Sequence, residues 1–202
     1  MVQPRVSRIW LLSYPITDSH PHLQNVNTKR VDKCFVPSDV LNQAARDRKV
    51  KPSQIVQYGL PIRKGFWKQS HGDAIPDTTA NDRETIRQAL GIDLKLPTVL
   101  VVGGGDGMGG IVDIAISLGE KLGDGSDSPA YQMIVVCGNN KVAKEALLEN
   151  EWGNGVKVEI QGFVDNMDEW MRASDALVTK AGPGTIAEAS ICGLPCMLFS
   201  FL

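Results

Sequence analysis

The sequence is poor in the residues that make metal sites and disulfide frameworks. Its 202 residues include only four cysteines and three histidines. No two cysteines have the two-residue spacing of a zinc knuckle or a thioredoxin-like redox motif, so both are excluded. We expect free, buried thiols in a reducing compartment, and no metal site. The histidines, His20, His22 and His71, lie in weakly patterned polar stretches and are expected in solvated loops.

The sequence also lacks a strong net charge and a long apolar run. Its 21 basic and 23 acidic residues give a net charge of −2, which excludes a general attraction to nucleic acid. No nucleic-acid partner is therefore expected, and any membrane contact must be local. Apolar runs such as Val99 to Val102 are far too short to cross a bilayer. The 43% hydrophobic content is sufficient for the core of a globular protein.

Polar residues and prolines divide the chain into three parts. Residues 1–63 carry the last elements of an α/β unit, and residues 97–202 form a second unit. Residues 64–96 are predicted to be an interdomain linker, since they are polar and bounded by proline. Short elements are predicted within residues 1–96. These are strands at 9–14 and 54–58, a helix from 38 to about 48, and a linker helix at 82–90 that starts after Asn81 and stops at Gly91.

After Pro97, short apolar strands alternate with helices. This alternation predicts an α/β fold with a parallel sheet that is covered by helices on both faces. The predicted strands are 98–102, 132–137, 156–161, 176–179 and 196–200, and the predicted helices are 111–121, 141–149, 167–173 and 185–192. Ligands of such sheets bind beyond the carboxyl ends of the strands, where two glycine-rich loops occur.

The first loop contains six glycines in the eight residues 103–110. Glycines between a strand and a helix let the backbone approach an anion and point free N–H groups at it. The pattern Gly105-x-Gly107-x-x-Gly110 also matches a dinucleotide-binding fingerprint. That fingerprint needs a carboxylate after the second strand, where this chain has residues 137–140, Cys-Gly-Asn-Asn. The candidate phosphate-binding residues here are Gly104, Gly105, Asp106, Gly107, Met108 and Gly109.

The second loop follows strand 176–179 and leads into a helix. Thr185 and Glu188 have the spacing of a capping box, in which Thr185 would cap the helix and Glu188 would fold back on the cap. Alternatively, the Glu188 carboxylate accepts hydrogen bonds from ribose hydroxyls while the helix N-terminus attracts phosphate. Both interpretations stay open. The candidate ligand-binding residues of this loop are Lys180, Gly182, Pro183, Gly184, Thr185 and Glu188.

A third segment ends a strand at the same edge of the sheet. Backbone groups of Gly162, Phe163 and Val164 can contact the edge of a pyrimidine while the Phe163 ring flanks its face. Packing of Phe163 in the core is the alternative.

Together these segments closely resemble the monogalactosyldiacylglycerol (MGDG) synthase family, whose wider group includes the bacterial peptidoglycan GlcNAc transferase. The resemblance covers about residues 31–197. It rests on residues 103–110, on 162–164, and on the ten residues 179–188, Thr-Lys-Ala-Gly-Pro-Gly-Thr-Ile-Ala-Glu. Residues 31–38 and 58–61 also resemble the synthases rather than the bacterial relative.

The resemblance implies a GT-B glycosyltransferase, with two Rossmann-like domains facing across a cleft. UDP-galactose would bind to the C-terminal domain, and galactose would be transferred with inversion to 1,2-diacylglycerol. No cofactor or catalytic metal is implied. A chloroplast location, with peripheral contact to the plastid envelope membrane, is implied as well.

The chain also departs from the family. The histidine that would act as general base belongs to an N-terminal domain that lies mostly outside this sequence, so no catalytic residue is assigned. The donor domain is expected to be truncated before the loop whose Gln and Glu residues would bind the sugar. Two other functions therefore remain open: a catalytically incomplete UDP-binding fragment or regulatory isoform, and an NAD-dependent oxidoreductase domain.

Overall fold

The computed structural model describes residues 9–11, 32–69, 80–103, 110–123 and 125–199. The chain folds as two units, Met1–Pro61 and Ile62–Leu202. The domain boundaries expected at residues 63 and 96 remain predictions.

The first unit contains a parallel three-stranded sheet. Strands β1 (Ile9–Leu11), β2 (Lys33–Val36) and β3 (Ile55–Gln57) lie in the order β1-β2-β3. Helix α1 (Asp39–Asp47) connects β2 to β3 and is capped by Ser38, whose hydroxyl accepts a hydrogen bond from the N–H of residue 41. A small core joins the sheet to the helix, and it contains Cys34, Val36, Leu41, Ala45 and Val50.

Strand β2 is absent from the sequence-based predictions. It is only four residues long, and Lys33 is exposed while Cys34 and Val36 are buried. Two buried positions are too few to establish a period of two in the sequence. Pairing with a strand on each side makes this short segment a strand.

The second unit alternates strands and helices throughout. Most predicted elements are confirmed, and helix 141–149, helix 167–173 and strands 98–102, 156–161 and 176–179 have the predicted bounds. The elements in chain order are a 3-10 helix (Lys64–Gln69), α2 (Ala80–Leu90), β4 (Thr98–Val102), α3 (Ile111–Leu122), β5 (Tyr131–Val136), α4 (Lys141–Glu149), β6 (Val156–Gln161), α5 (Met167–Ala173), β7 (Ala176–Thr179), α6 (Pro183–Ile191) and β8 (Cys196–Leu198).

The strands of this unit form one parallel sheet in the order β6-β5-β4-β7-β8. From β4 the chain moves to β5 and β6 on one side, then returns to place β7 and β8 on the other side. The topological switch point therefore lies between β4 and β7, where Val102 pairs with Thr179. In open α/β sheets the crevice at this point is the usual ligand site.

Helices cover both faces of the sheet, as predicted. Along β4, Leu100 and Val102 point into one core, and Val101 points into the other. The first core receives Met167, Trp170 and Met171 from α5. The second receives side chains from α3 and α4, among them Ile111, Ala115, Ala143 and Leu147. The predicted α/β class, with a parallel sheet between helices, is confirmed.

Helix α2 packs within the second unit, against α5. It begins at Ala80, two residues before the predicted start at Asp82, and it ends at Leu90; Gly91, which follows it, has a φ of +69° that suits glycine. The predicted helix and its stop are confirmed, while the predicted first residue is wrong. Helix ends often differ from sequence predictions by this much because the terminal turn has few contacts that fix it.

A buried arginine ties α2 to the sheet. The Arg87 side chain is 5% exposed and donates to the carbonyls of Leu94, Leu96 and Ala173 and to Asp175 Oδ2. Arg83 donates to the other oxygen of Asp175 at 2.6 Å. Burial raises the pKa of Asp175, but hydrogen bonds from the Thr98 N–H and Arg83, with the charges of both arginines, outweigh burial and hold this pKa below its ordinary 3.8.

The cysteines are free, as expected, but only two are buried. Cys34 and Cys137 are buried, Cys192 is half-buried and Cys196 is exposed, so the expectation of burial is wrong for Cys196, which lies on edge strand β8. Burial raises the pKa of Cys192 to about 11. Among the described helices, none has the length and apolar character needed to cross a membrane.

Replacing Asp175 by asparagine should destabilise the second unit by about 1 kcal/mol at pH 7, because the negative charge and one of the two oxygens that accept from Arg83, Arg87 and the Thr98 N–H are lost at a site that is 42% exposed. A carboxylate with a lowered pKa stabilises the fold above its unfolded pKa and loses this effect as the pH falls. The difference between wild type and Asp175→Asn should therefore shrink below pH 3.8. Urea unfolding across this pH range, with the exposed Asp127→Asn as control, tests this; a pH-independent difference would contradict it.

Candidate functional site

A cavity of about 320 Å³ opens at the carboxyl edge of the five-stranded sheet. Its walls come from the ends of β4, β5 and β6, from the start of α5 and α6, and from the segment before α2. Five of the predicted ligand-binding residues line it together: Phe163, Val164, Gly184, Thr185 and Glu188. The other lining residues are Arg63, Val102, Val136, Gly138 and Met167.

Helix α6 begins directly after β7 and points its N-terminus at this edge. Its N-cap is Gly182, and Pro183 is the first helical residue. Proline is favoured there because its ring sets the helical φ and the missing N–H would have no partner within the helix. The N–H groups of Gly184 and Thr185, in the first turn, have no acceptor inside the helix and are available to an anion.

The capping-box interpretation of Thr185 and Glu188 is wrong. The helix begins two residues before Thr185, and no side chain caps it. The Glu188 carboxylate instead binds an arginine. This rules out the purely local explanation for the spacing of Thr185 and Glu188.

Glu188 is 5% exposed and forms a bidentate ion pair with Arg63. Arg63 Nε donates to Glu188 Oε1 at 2.6 Å, and Arg63 Nη2 donates to Oε2. The Arg63 guanidinium also stands 5.4 Å from the centre of the Phe66 ring, within cation–π range. The hydrogen bond to Glu188 raises the pKa of Arg63 despite partial burial, and the charges of Glu188 and Asp168 add to this effect.

Phe163 stands beside the cavity with 69% of its surface exposed. Core packing of its ring, the alternative drawn from the sequence, is therefore wrong. Val164, the next residue, is half-buried and packs against the core instead. Gly138, which also lines the cavity, follows β5 with a φ of +59°, a conformation that favours glycine. An exposed aromatic ring next to an open cavity is available to stack on a flat ligand.

The remaining residues predicted for the second loop, Lys180, Gly182 and Pro183, are not among those that line the cavity. Lys180 is half-buried, and its carbonyl accepts a hydrogen bond from the Gly182 N–H at 2.7 Å. Gly182 and Pro183 shape the turn that starts α6. A dinucleotide site needs a carboxylate just after β5. This chain has Asn140 there, and its side chain accepts a hydrogen bond from the Ala143 N–H and caps α4.

Most of the first glycine loop lies outside the described residues. This applies to the predicted ligand-binding residues Gly104, Gly105, Asp106, Gly107, Met108 and Gly109, and also to His20, His22 and His71. The described ends of the loop are Gly103, after β4, and Gly110, which precedes α3 with a φ of +73°. Both ends belong to the same edge of the sheet as the cavity. Within the described ranges, no group of three or more His, Cys, Asp or Glu residues could hold a metal ion.

Gly103 has a structural reason to be glycine. A Cβ at this position would lie 2.7 Å from Ile111 Cδ1 and 3.1 Å from Ile111 Cβ. Ile111 is the first residue of α3 and is 2% exposed, so it has little room to move. At least one glycine of the loop is therefore required by packing between β4 and α3.

Of the cavity-lining residues that the sequence patterns did not indicate, Arg63 is the one with a charged side chain. It lies 125 residues before Glu188, and no periodic pattern connects the two. The available sequence signal was its position two residues after the segment 58–61, which resembles the MGDG synthases.

Comparison with known proteins identifies several relatives. The model of the family described as "Glycosyltransferase family 28 C-terminal domain" matches residues 98–201. The chain is 43% identical over 173 residues to monogalactosyldiacylglycerol synthase 3, chloroplastic, of Arabidopsis thaliana, covering 85% of this chain and 35% of the relative. It is 39% identical over 175 residues to monogalactosyldiacylglycerol synthase, chloroplastic, of Spinacia oleracea, covering 86% and 31%. The chain thus spans about a third of the length of these curated relatives.

Two solved structures are similar to this chain at lower sequence identity. WaaG, a glycosyltransferase involved in lipopolysaccharide biosynthesis, has 21% identity and a TM-score of 0.47, covering 81% of this chain and 43% of its own. Anabaena Alr3699/HepE in complex with UDP and glucose has 18% identity and a TM-score of 0.49, covering 85% and 45%.

Replacing Gly103 by alanine should destabilise the second unit by about 1 to 3 kcal/mol, because the new methyl group overlaps the buried Ile111. Gly184→Ala is the matched control, since nothing lies within 4 Å of its added Cβ. Urea unfolding of both variants without ligand measures the difference. Equal stability of the two would mean that Gly103 is not required by packing.

Proposed function

The chain belongs to glycosyltransferase family 28, and we propose that it is part of an enzyme that transfers galactose from UDP-galactose to 1,2-diacylglycerol with inversion. The cavity at the switch point of the five-stranded sheet is the observation that carries this proposal. Its volume of about 320 Å³ lies in the range of small-molecule sites, about 300 to 1,000 Å³. The identity to MGDG synthases over 85% of the chain supports this choice of donor and acceptor.

The described residues suit the three parts of UDP. The exposed Phe163 ring would lie against the uracil, while backbone groups of residues 162–164 contact its edge. The Glu188 carboxylate, an acceptor without a proton to donate, would bind the ribose hydroxyls. The N-terminus of α6 would receive the diphosphate at the N–H groups of Gly184 and Thr185, where the helix dipole favours negative charge.

The remaining predicted donor-binding residues complete this site. Residues 104–109 would wrap the diphosphate with backbone N–H groups, and Lys180 would add a positive charge. Gly182 and Pro183 set the direction of α6. In this arrangement the nucleotide is held mainly by the backbone and by one carboxylate.

The chemistry proposed for this site is stabilisation of the leaving group. The acceptor hydroxyl attacks the anomeric carbon from the face opposite the diphosphate, and the bond between that carbon and the diphosphate oxygen breaks. Negative charge develops on the diphosphate, where oriented N–H groups and helix dipoles stabilise it. The hydroxyl proton passes to a base that we do not assign to a residue of this chain.

The family membership supports our proposals for the organisation and location of the protein. We propose a GT-B architecture in which residues 1–63 belong to the acceptor side, 64–96 to the connection and 97–202 to the donor side. The named relatives are chloroplastic, and we propose the plastid envelope as the site of action, with peripheral membrane contact. Diacylglycerol, the acceptor, would then reach the site from the membrane.

Calorimetric titration separates this proposal from the oxidoreductase alternative. We expect the purified protein to bind UDP and to show no heat of binding with NADH, because no carboxylate follows β5 to hold the adenosine ribose. Binding of NADH without any response to UDP would overturn the glycosyltransferase proposal.

Replacing Glu188 by alanine should weaken UDP binding by about 1 to 3 kcal/mol, because hydrogen bonds to a charged group are lost. Glu145→Ala, an exposed glutamate on α4, is the matched control and should bind UDP like the wild type. The same titration measures both variants. Unchanged affinity of Glu188→Ala would exclude a contact with ribose.

Transfer of labelled galactose from UDP-galactose to diacylglycerol tests the reaction itself. Product formation is expected from the full-length protein. For the 202-residue chain, product formation would support an active enzyme, whereas UDP binding without turnover would favour the incomplete fragment or regulatory isoform.

A further inference from the structure

We propose that Arg63 is a positioning residue for nucleotide recognition, which holds the Glu188 carboxylate in the orientation that accepts the ribose hydroxyls. This inference rests on the proposed binding of ribose by Glu188. Arg63 itself would touch Glu188 and not the ribose.

The geometry of the ion pair between Arg63 and Glu188 restricts rotation of the carboxylate. Two donors of one guanidinium, Nε and Nη2, contact the two oxygens of Glu188. A bidentate contact between two planar groups leaves little freedom about the last side-chain torsion of Glu188. The plane in which the carboxylate presents its remaining lone pairs is thus set by Arg63.

Both oxygens keep the capacity to accept further hydrogen bonds. An ionised carboxylate has about four lone-pair sites, and Arg63 occupies one on each oxygen. The two sites that remain match the two neighbouring hydroxyls of a ribose. Glu188 lines the cavity together with Arg63, so a ligand there has access to this group.

The burial of Glu188 indicates that Arg63 stays in place when a ligand binds. The Glu188 side chain is 6% exposed, whereas that of Arg63 is 49% exposed. A buried carboxylate without a cationic partner is strongly unfavourable, and neutral hydroxyls cannot replace a positive charge. Ribose therefore adds to the ion pair rather than displacing it.

Arg63 is itself held by neighbours. Its guanidinium lies 5.4 Å from the Phe66 ring centre, and Phe66 is 1% exposed. The Phe66 N–H donates to the Arg63 carbonyl at 3.0 Å, which closes the turn that carries both residues. A core residue thus anchors the segment that presents the arginine to Glu188.

Comparing UDP with 2′,3′-dideoxy-UDP in a binding titration tests this inference, since the second ligand lacks the hydroxyls. We expect the wild type to bind UDP at least about tenfold more tightly than the dideoxy ligand. Arg63→Met should lose about tenfold in UDP affinity and change by less than about twofold for the dideoxy ligand. Lys64→Met removes the same charge from an exposed neighbour and should retain the preference.

Arg63→Lys keeps the charge but loses the planar two-donor group, and it should show an intermediate preference. It also provides a second test if Arg63→Met does not fold, which circular dichroism would reveal. An equal loss of affinity for both ligands in the Arg63 variants would overturn the inference, since it would place Arg63 on the phosphates or in the general stability of the site.

The proposed function and this inference fail in different ways. Absence of UDP binding by the wild type would overturn both. UDP binding without a preference over the dideoxy ligand would remove the role of Glu188 and this inference, but not nucleotide binding. A normal preference in both Arg63→Met and Arg63→Lys would overturn this inference alone.

Discussion

The pairing of β4 with β7 is the contact on which the site depends. It sets Val102 beside Thr179, and the Thr179 hydroxyl donates to the Val102 carbonyl at 3.1 Å. Because the connections from these two strands leave in opposite directions along the sheet, their carboxyl ends border an open crevice. The first glycine loop begins at one strand end, and the loop before α6 begins at the other. A cavity and a helix N-terminus therefore meet at the same edge.

Two acidic side chains of the second unit form ion pairs with arginines. Asp175 joins Arg83 and Arg87 where α2 packs on the sheet, and Glu188 joins Arg63 beside the cavity. Buried charges without such partners are strongly destabilising. The two arrangements nevertheless serve different purposes. Asp175 and its arginines connect elements of the fold, whereas Glu188 and Arg63 lie in the wall of the cavity.

A buried polar side chain of the sheet, Gln132, also has partners for its polar atoms. Gln132 on β5 is buried, and it accepts a hydrogen bond from the Asp93 N–H while donating to the Asp93 carbonyl and the Thr98 hydroxyl. This side chain fastens the segment before β4 to its neighbouring strand. At the other end of β4, Gly103 lies so close to the buried Ile111 that it has no room for a side chain.

The sequence by itself determined the elements and the edge of the sheet on which the loops lie. Apolar runs and helical periodicity are local properties, and they were sufficient for strands such as β4 and β6, for α4 and α5, and for the stop at Gly91. Tertiary structure alone decided the short strand β2 and the partner of Glu188. These depend on neighbours far along the chain: Arg63 reaches Glu188 across 125 residues, and only packing of the sheet and its helices brings such charges together.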